Sequence, residues 1–156
     1  MQTSEGNRRG QGYTLNHLGL ALAAQGEQEA ARQAFEQALS IRCDLGQHAL
    51  ACDDLAGLAR LALQEGQAEQ AAEYCEEIMQ EIASHRADGI EFPVLVYLTC
   101  NRAFLAAGQV ERAEQALQDG HKLLMMRAER IQDEALRRQF LENVPFNREL
   151  LQTCRV

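Results

Sequence analysis

Tryptophan is absent from this chain, and proline occurs only twice in 156 residues. Valine, isoleucine and threonine are sparse as well, which leaves little from which to build a sheet. Alanine and leucine dominate the apolar set instead, and both favour helix. No apolar run approaches the roughly 20 residues that span a bilayer. The opening residues, MQTSEGNRRGQG, hold no apolar core and exclude a cleaved secretory signal. Cysteine is limited to Cys43, Cys52, Cys75, Cys100 and Cys154, an odd number without a CxxC pair. Neither a disulfide framework nor a zinc knuckle is indicated, and a reducing, cytoplasmic compartment is expected. Positive charge is in deficit: the net charge is −8. That weighs against nucleic acid and against an anionic membrane, both of which demand a cationic surface.

What the chain does have is internal repetition. Gly6 and Gly46, Leu15 and Leu55, Leu18 and Leu58, Gly26 and Gly66, Ala31 and Ala71 lie in register about forty residues apart. A third copy follows, with Tyr97, Ala103, Phe104, Gly108 and Ala113 at the equivalent places. A period of this length marks a repeat array, in which each unit buries its face by stacking on its neighbours. Within the first copy, Leu15, Leu18, Leu22 and then Ala31, Phe35, Ala38 follow helical spacing. Two amphipathic helices are expected, about 13–25 and 28–43, with Gly26 closing the first. The second copy predicts helices near 48–64 and 68–84 around Gly66. In the third, Pro93 opens a helix to about 106 and Gly108 makes the turn. The one irregular connection, Ser84 to Phe92, has Asp88-Gly89 as its turn signal.

The stretch TLNHLGLALAAQGEQEAARQAFEQAL resembles a tetratricopeptide repeat. Leu18-Gly19, Ala21, Gly26, Ala31, Phe35 and Ala38 stand where that family places small or bulky packing residues. The second copy has Ala59 for the glycine and Cys75 for the aromatic. The third has Cys100, Asn101, Leu117 and Gly120 at the corresponding places. The resemblance implies an all-α, right-handed α–α superhelix of about three helix pairs, 13–43, 48–84 and 93–131. Residues 1–12 then read as the stub of a preceding repeat with its turn. Residues 132–156 read as capping helices, the first capped by Asp133 and carrying Leu136, Phe140, Leu141 and Val144, the second begun by Pro145. The C-terminal stretch also resembles the end of repeat regions in multidomain bacterial signalling proteins, which implies a piece of a longer polypeptide.

Catalytic chemistry has little footing. No phosphate-binding loop, GxSxG elbow or HExxH pair is present. The histidines His17, His48, His85 and His121 lack ligand spacing, and His85 with Asp88 has no accompanying nucleophile. His121 falls where the repeat expects an apolar side chain. Cys75 and Cys100 occupy core positions, where thiols behave as small hydrophobes. Asp53-Asp54 and the other acidic runs read as solvated helix faces. No catalytic residue, metal ligand or cofactor is therefore expected.

Binding has more support. Carrying over the resembled family's concave-face positions selects Tyr13, Asn16, Leu20 and Ala23 in the first unit. The second supplies Asp53, Ala56, Arg60 and Gln64, and the third Leu95, Leu98, Arg102 and Leu105. Arg60 and Arg102 are equivalent positions; with the Asn16 amide they would grip a carboxylate through charge-assisted hydrogen bonds. Alternatively, Arg60 pairs with Asp53 or Gln64 on a solvated face. The expected function is non-catalytic recognition of a peptide, a partner protein or another domain of a larger signalling or regulatory chain. The competing expectation is a structural spacer or a homodimer formed through terminal surfaces, around Phe140 and Phe146 or the open first unit.

Overall fold

A computed structural model describes residues 4–155. Among the described residues the chain forms eight α-helices and no strand: α1 (Ser4–Ala24), α2 (Gln28–Asp44), α3 (His48–Gln64), α4 (Ala68–His85), α5 (Pro93–Ala106), α6 (Val110–Glu129), α7 (Glu134–Asn143) and α8 (Pro145–Cys154). None is long and apolar enough to cross a membrane.

Three-residue connections set the architecture. After α1, α2, α3 and α5 a glycine takes the left-handed conformation: Gly26, Gly46, Gly66 and Gly108, with φ of 81°, 65°, 75° and 73°. The next residue, Glu27, Gln47, Gln67 or Gln109, donates its N–H back to Leu22, Arg42, Ala62 or Phe104, at 2.9, 2.8, 2.8 and 2.8 Å. This six-residue closure consumes orphan carbonyls at the helix end. The same residue then starts the next helix, because its carbonyl accepts from Ala31, Ala51, Ala71 or Ala113. A link that short folds the following helix back on its predecessor. Adjacent helices pack in pairs accordingly, which is consistent with helical repeats.

The start of α1 departs from expectation. The helix is already formed at Ser4, so residues 4–12 are its first turns rather than a stub and turn. Residues 1–3 of that stub lie outside the described residues. Gly6 was in register with Gly46, yet Gly46 forms a turn and Gly6 does not. Tertiary contacts overcome the weak propensity: a β-carbon at Gly12 would sit 3.5 Å from the Arg42 side chain, and Arg8 reaches Asp44 at 2.7 Å.

The chain divides into two compact units at Glu91/Phe92. In the first, Ala31, Phe35, Leu58 and Leu61 form a buried cluster to which Leu20, Leu22, Leu39 and Tyr74 add partial cover. Phe35 of α2 wedges between two glycines: a β-carbon would lie 2.8 Å from its ring at Gly19 on α1 and 2.6 Å at Gly57 on α3. Seven residues after α4 end this unit's helical run. Arg86 opens them with φ 64° and ψ −179°, a region that is essentially glycine-only and costs a side chain about 1–3 kcal/mol. Glu91 ties the segment back, donating its N–H to Asp53 at 2.8 Å and pairing with His17 at 2.9 Å. Because the ties lie elsewhere, Arg86→Gly should raise stability by about 1 kcal/mol, read as an upward shift of the thermal midpoint.

In the second unit Val94, Leu98, Leu124 and Leu150 form the core, flanked by Leu117, Phe140, Leu141, Phe146 and Leu151. Gly120 keeps α6 close to α5, since a β-carbon there would lie 2.8 Å from the Tyr97 β-carbon. Asp133 caps α7 by accepting the Leu136 N–H at 2.9 Å, as expected. Phe140 and Phe146 are partly buried. Both pack on this core, Phe146 edge-on to Phe92 with ring centroids 6.4 Å apart.

Candidate functional site

Of the twelve positions carried over for the groove, those of the first unit divide once the side chains are placed. Leu20, Arg60 and Gln64 come together. With Ala23, Ala24, Phe35, Gly57 and Leu61 they line a recess of about 220 Å³ on the α1/α3 side of the first unit. Its floor is the Phe35 ring and Leu61, and its rim carries one guanidinium and one amide. Such a recess suits a small apolar side chain with an anionic group beside it. Gln28 of α2 reaches the Gln64 amide at 3.4 Å, and Arg32 pairs with Glu65 at 2.7 Å next to it.

Other candidates are held by neighbours within their own unit. Asn16 is buried and cannot offer its amide to the rim, because it donates to Asp54 at 2.6 Å. Tyr13 lies with its ring 5.3 Å from the Arg42 guanidinium. Asp53 accepts the Glu91 N–H on one carboxylate oxygen at 2.8 Å. Leu98 is a core residue of the second unit, 1% exposed, and is not available to a ligand. Arg102 pairs with Glu149 of α8, so the guanidinium expected to act with Arg60 is engaged by the capping helix. Leu105 is open to solvent, at 50% exposure.

The polar group that sequence reasoning missed is a buried ion pair. Arg42 of α2 and Asp54 of α3 are both 0% exposed and meet at 2.8 Å. The same arginine nitrogen donates to the Leu50 carbonyl at 2.7 Å. Burial pushes the Asp54 carboxyl up to about 6, while Arg42 and the Asn16 amide pull it down. Desolvation therefore outweighs attraction here. Two signals were available in the chain. Arg42 continues the stripe Ala31, Phe35, Ala38 at helical spacing, and Asp54 sits in a run from Ala51 to Ala62 in which only Asp53, Asp54 and Arg60 are charged. Charge alone led Asp53-Asp54 to be assigned to solvent.

Remaining reactive groups are quiet or isolated. Burial raises the Cys52 thiol to about 12, which keeps it protonated and poorly nucleophilic at neutral pH. Cys75 and Cys100 are fully buried. His85 pairs with Glu81 at 2.9 Å. His121 lines a recess of about 640 Å³ bounded by Leu117, Met125, Leu141 and Leu151 among α6, α7 and α8. Among the described residues, no three His, Cys, Asp or Glu side chains come together as a metal site.

No family model matches this chain, and no curated protein and no solved structure is significantly similar to it.

Proposed function

We propose that this chain is a non-catalytic, tetratricopeptide-like interaction scaffold that recognises a peptide or partner segment in the α1/α3 recess. The observation that carries this reading is the recess itself, in which Arg60 and Gln64 stand over an apolar floor of Phe35 and Leu61. The identical glycine closures forty residues apart support the repeat assignment. A right-handed superhelix is the arrangement that assignment implies, and a cytoplasmic bacterial signalling or regulatory protein is the setting it favours. The partner is then a protein, whether separate or another domain of the same polypeptide, rather than nucleic acid or membrane. A guanidinium beside an apolar pocket favours a free carboxylate next to a small hydrophobic side chain.

Peptides with free and amidated C-termini should distinguish themselves on an array probed with the wild-type chain. Arg60→Glu should reduce binding of the free acids by tenfold or more, about 1.4 kcal/mol, with helical content unchanged. Arg102→Glu should leave it intact, because Arg102 serves Glu149. Equal binding of acids and amides, or indifference to Arg60→Glu, would remove this recess as the receptor.

A further inference from the structure

Little apolar surface holds the first turns of α1 to their neighbours. Among the described residues of this helix only Gly12, Asn16 and Gly19 are buried, and none carries a large apolar side chain. The leucines and alanine that α1 packs on the core cluster, Leu20, Leu22 and Ala23, belong to its last turns. By contrast, α3 buries Leu55, Leu58 and Leu61. Gly6, Gly10 and Gly12 further weaken the helix, since glycine gives up more backbone freedom there than any other residue.

The seat beneath these turns is polar and incompletely paired. Nη1 of Arg42 serves both Asp54, at 2.8 Å, and the Leu50 carbonyl, at 2.7 Å. Nε and Nη2 of Arg42 and Oδ1 of Asn16 are closed off from solvent with no hydrogen-bond partner among the described residues. It is α1 that covers them. A β-carbon at Gly12 would lie 3.5 Å from Arg42 Nε, and the Tyr13 ring stands 5.3 Å from the guanidinium. Each orphaned polar atom is a cost of the closed position that hydration removes. Few buried apolar contacts and unmet hydrogen bonds together mark a segment of low local stability.

We propose that residues 4–16 form a flap that opens locally from α2 and α3 while the rest of the first unit stays folded, and that the unmet hydrogen bonds of Arg42 and Asn16 favour its opening. Two polar ties oppose it. The Asn16 amide donates to Asp54 at 2.6 Å, a buried anchor at the flap's base. The Arg8–Asp44 pair is solvent-exposed on both sides and adds little.

Native-state hydrogen exchange on the full chain, followed amide by amide in increasing denaturant, tests the proposal. Amides of 11–16 should exchange about 100-fold faster than those of 51–62, through an opening that low denaturant hardly accelerates, because little surface is exposed. Asn16→Leu combined with Arg42→Met and Asp54→Leu makes the seat apolar and should slow exchange across 11–16 roughly tenfold or more. Thr14→Leu, at an exposed position with a similar gain in helix propensity, should slow it no more than about threefold. One shared rate and denaturant dependence for 11–16 and 51–62 in the wild type overturns the proposal, and that result does not depend on the triple variant folding. Slowing in the triple variant no greater than in Thr14→Leu, or acceleration, overturns it as well, by showing that the polar cluster holds the helix down.

Discussion

Asp54→Ala is expected to cost about 3–5 kcal/mol of folding stability, because it leaves the Arg42 guanidinium charged, buried and without its carboxylate. The two side chains are wholly enclosed and meet at 2.8 Å, so water cannot replace the lost partner. Denaturant unfolding of the wild type and the variant measures the loss. Arg42→Met combined with Asp54→Leu should recover most of it, since an apolar pair of similar volume removes both desolvation costs. If the double variant is as unstable as Asp54→Ala, packing rather than charge governs this position. The pair also carries a signature in pH. The folded-state carboxyl titrates near 6, above its ordinary 3.8, so between those values the folded chain binds the proton more tightly than the unfolded chain. Stability from this group is therefore fully present below about pH 4 and lost as pH rises through about 6. Across that window the wild type should lose stability relative to the Arg42→Met/Asp54→Leu variant, and above it the difference should be flat.

Phe35→Ala should be equally severe, at about 3–5 kcal/mol, because it opens a cavity at the centre of the first unit. The reverse change is informative as well. Gly57→Ala places a β-carbon 2.6 Å from the Phe35 ring, and Gly19→Ala places one at 2.8 Å. Either closes a gap that the ring already fills and should cost about 1–3 kcal/mol by overpacking. Phe35→Leu in the Gly57→Ala background should return part of that loss, a coupling that a double-mutant cycle reads directly. Additive effects in the cycle would show that the Phe35 ring does not press on Gly57. Because Phe35 is also the floor of the α1/α3 recess, these variants should perturb peptide binding along with stability.

Much of the helical plan was legible in the chain. The boundaries of α2 through α5 follow from Ala and Leu periodicity and from Gly26, Gly66, Gly108 and Pro93, because a helix and its stop signal are local features. Asp133 and Pro145 announced α7 and α8 for the same reason. The beginning of α1 was not legible: its glycines argue against helix, and only contacts with Arg42 and Asp44 on α2 show why it persists. The binding residues fared unevenly. The resembled family's concave-face positions selected Leu20, Arg60 and Gln64, but whether such a position faces solvent depends on what packs over it. Leu98 was claimed by the core, Asn16 by Asp54, and Arg102 by Glu149 of a helix far along the chain.

Local order in this protein is thus written in short-range pattern. Periodicity, glycine stops and caps act within one or two turns, and they specified the helices and the fold-back links. The tertiary arrangement decided everything that requires two distant segments at once. It sank Arg42 and Asp54 into the interior as a pair, set Phe35 between Gly19 and Gly57, and left Leu18 exposed where its repeat partner Leu58 is covered. The physical reason is that burial is a property of neighbours: the same leucine at the same register is core or surface according to whether another helix lies over it.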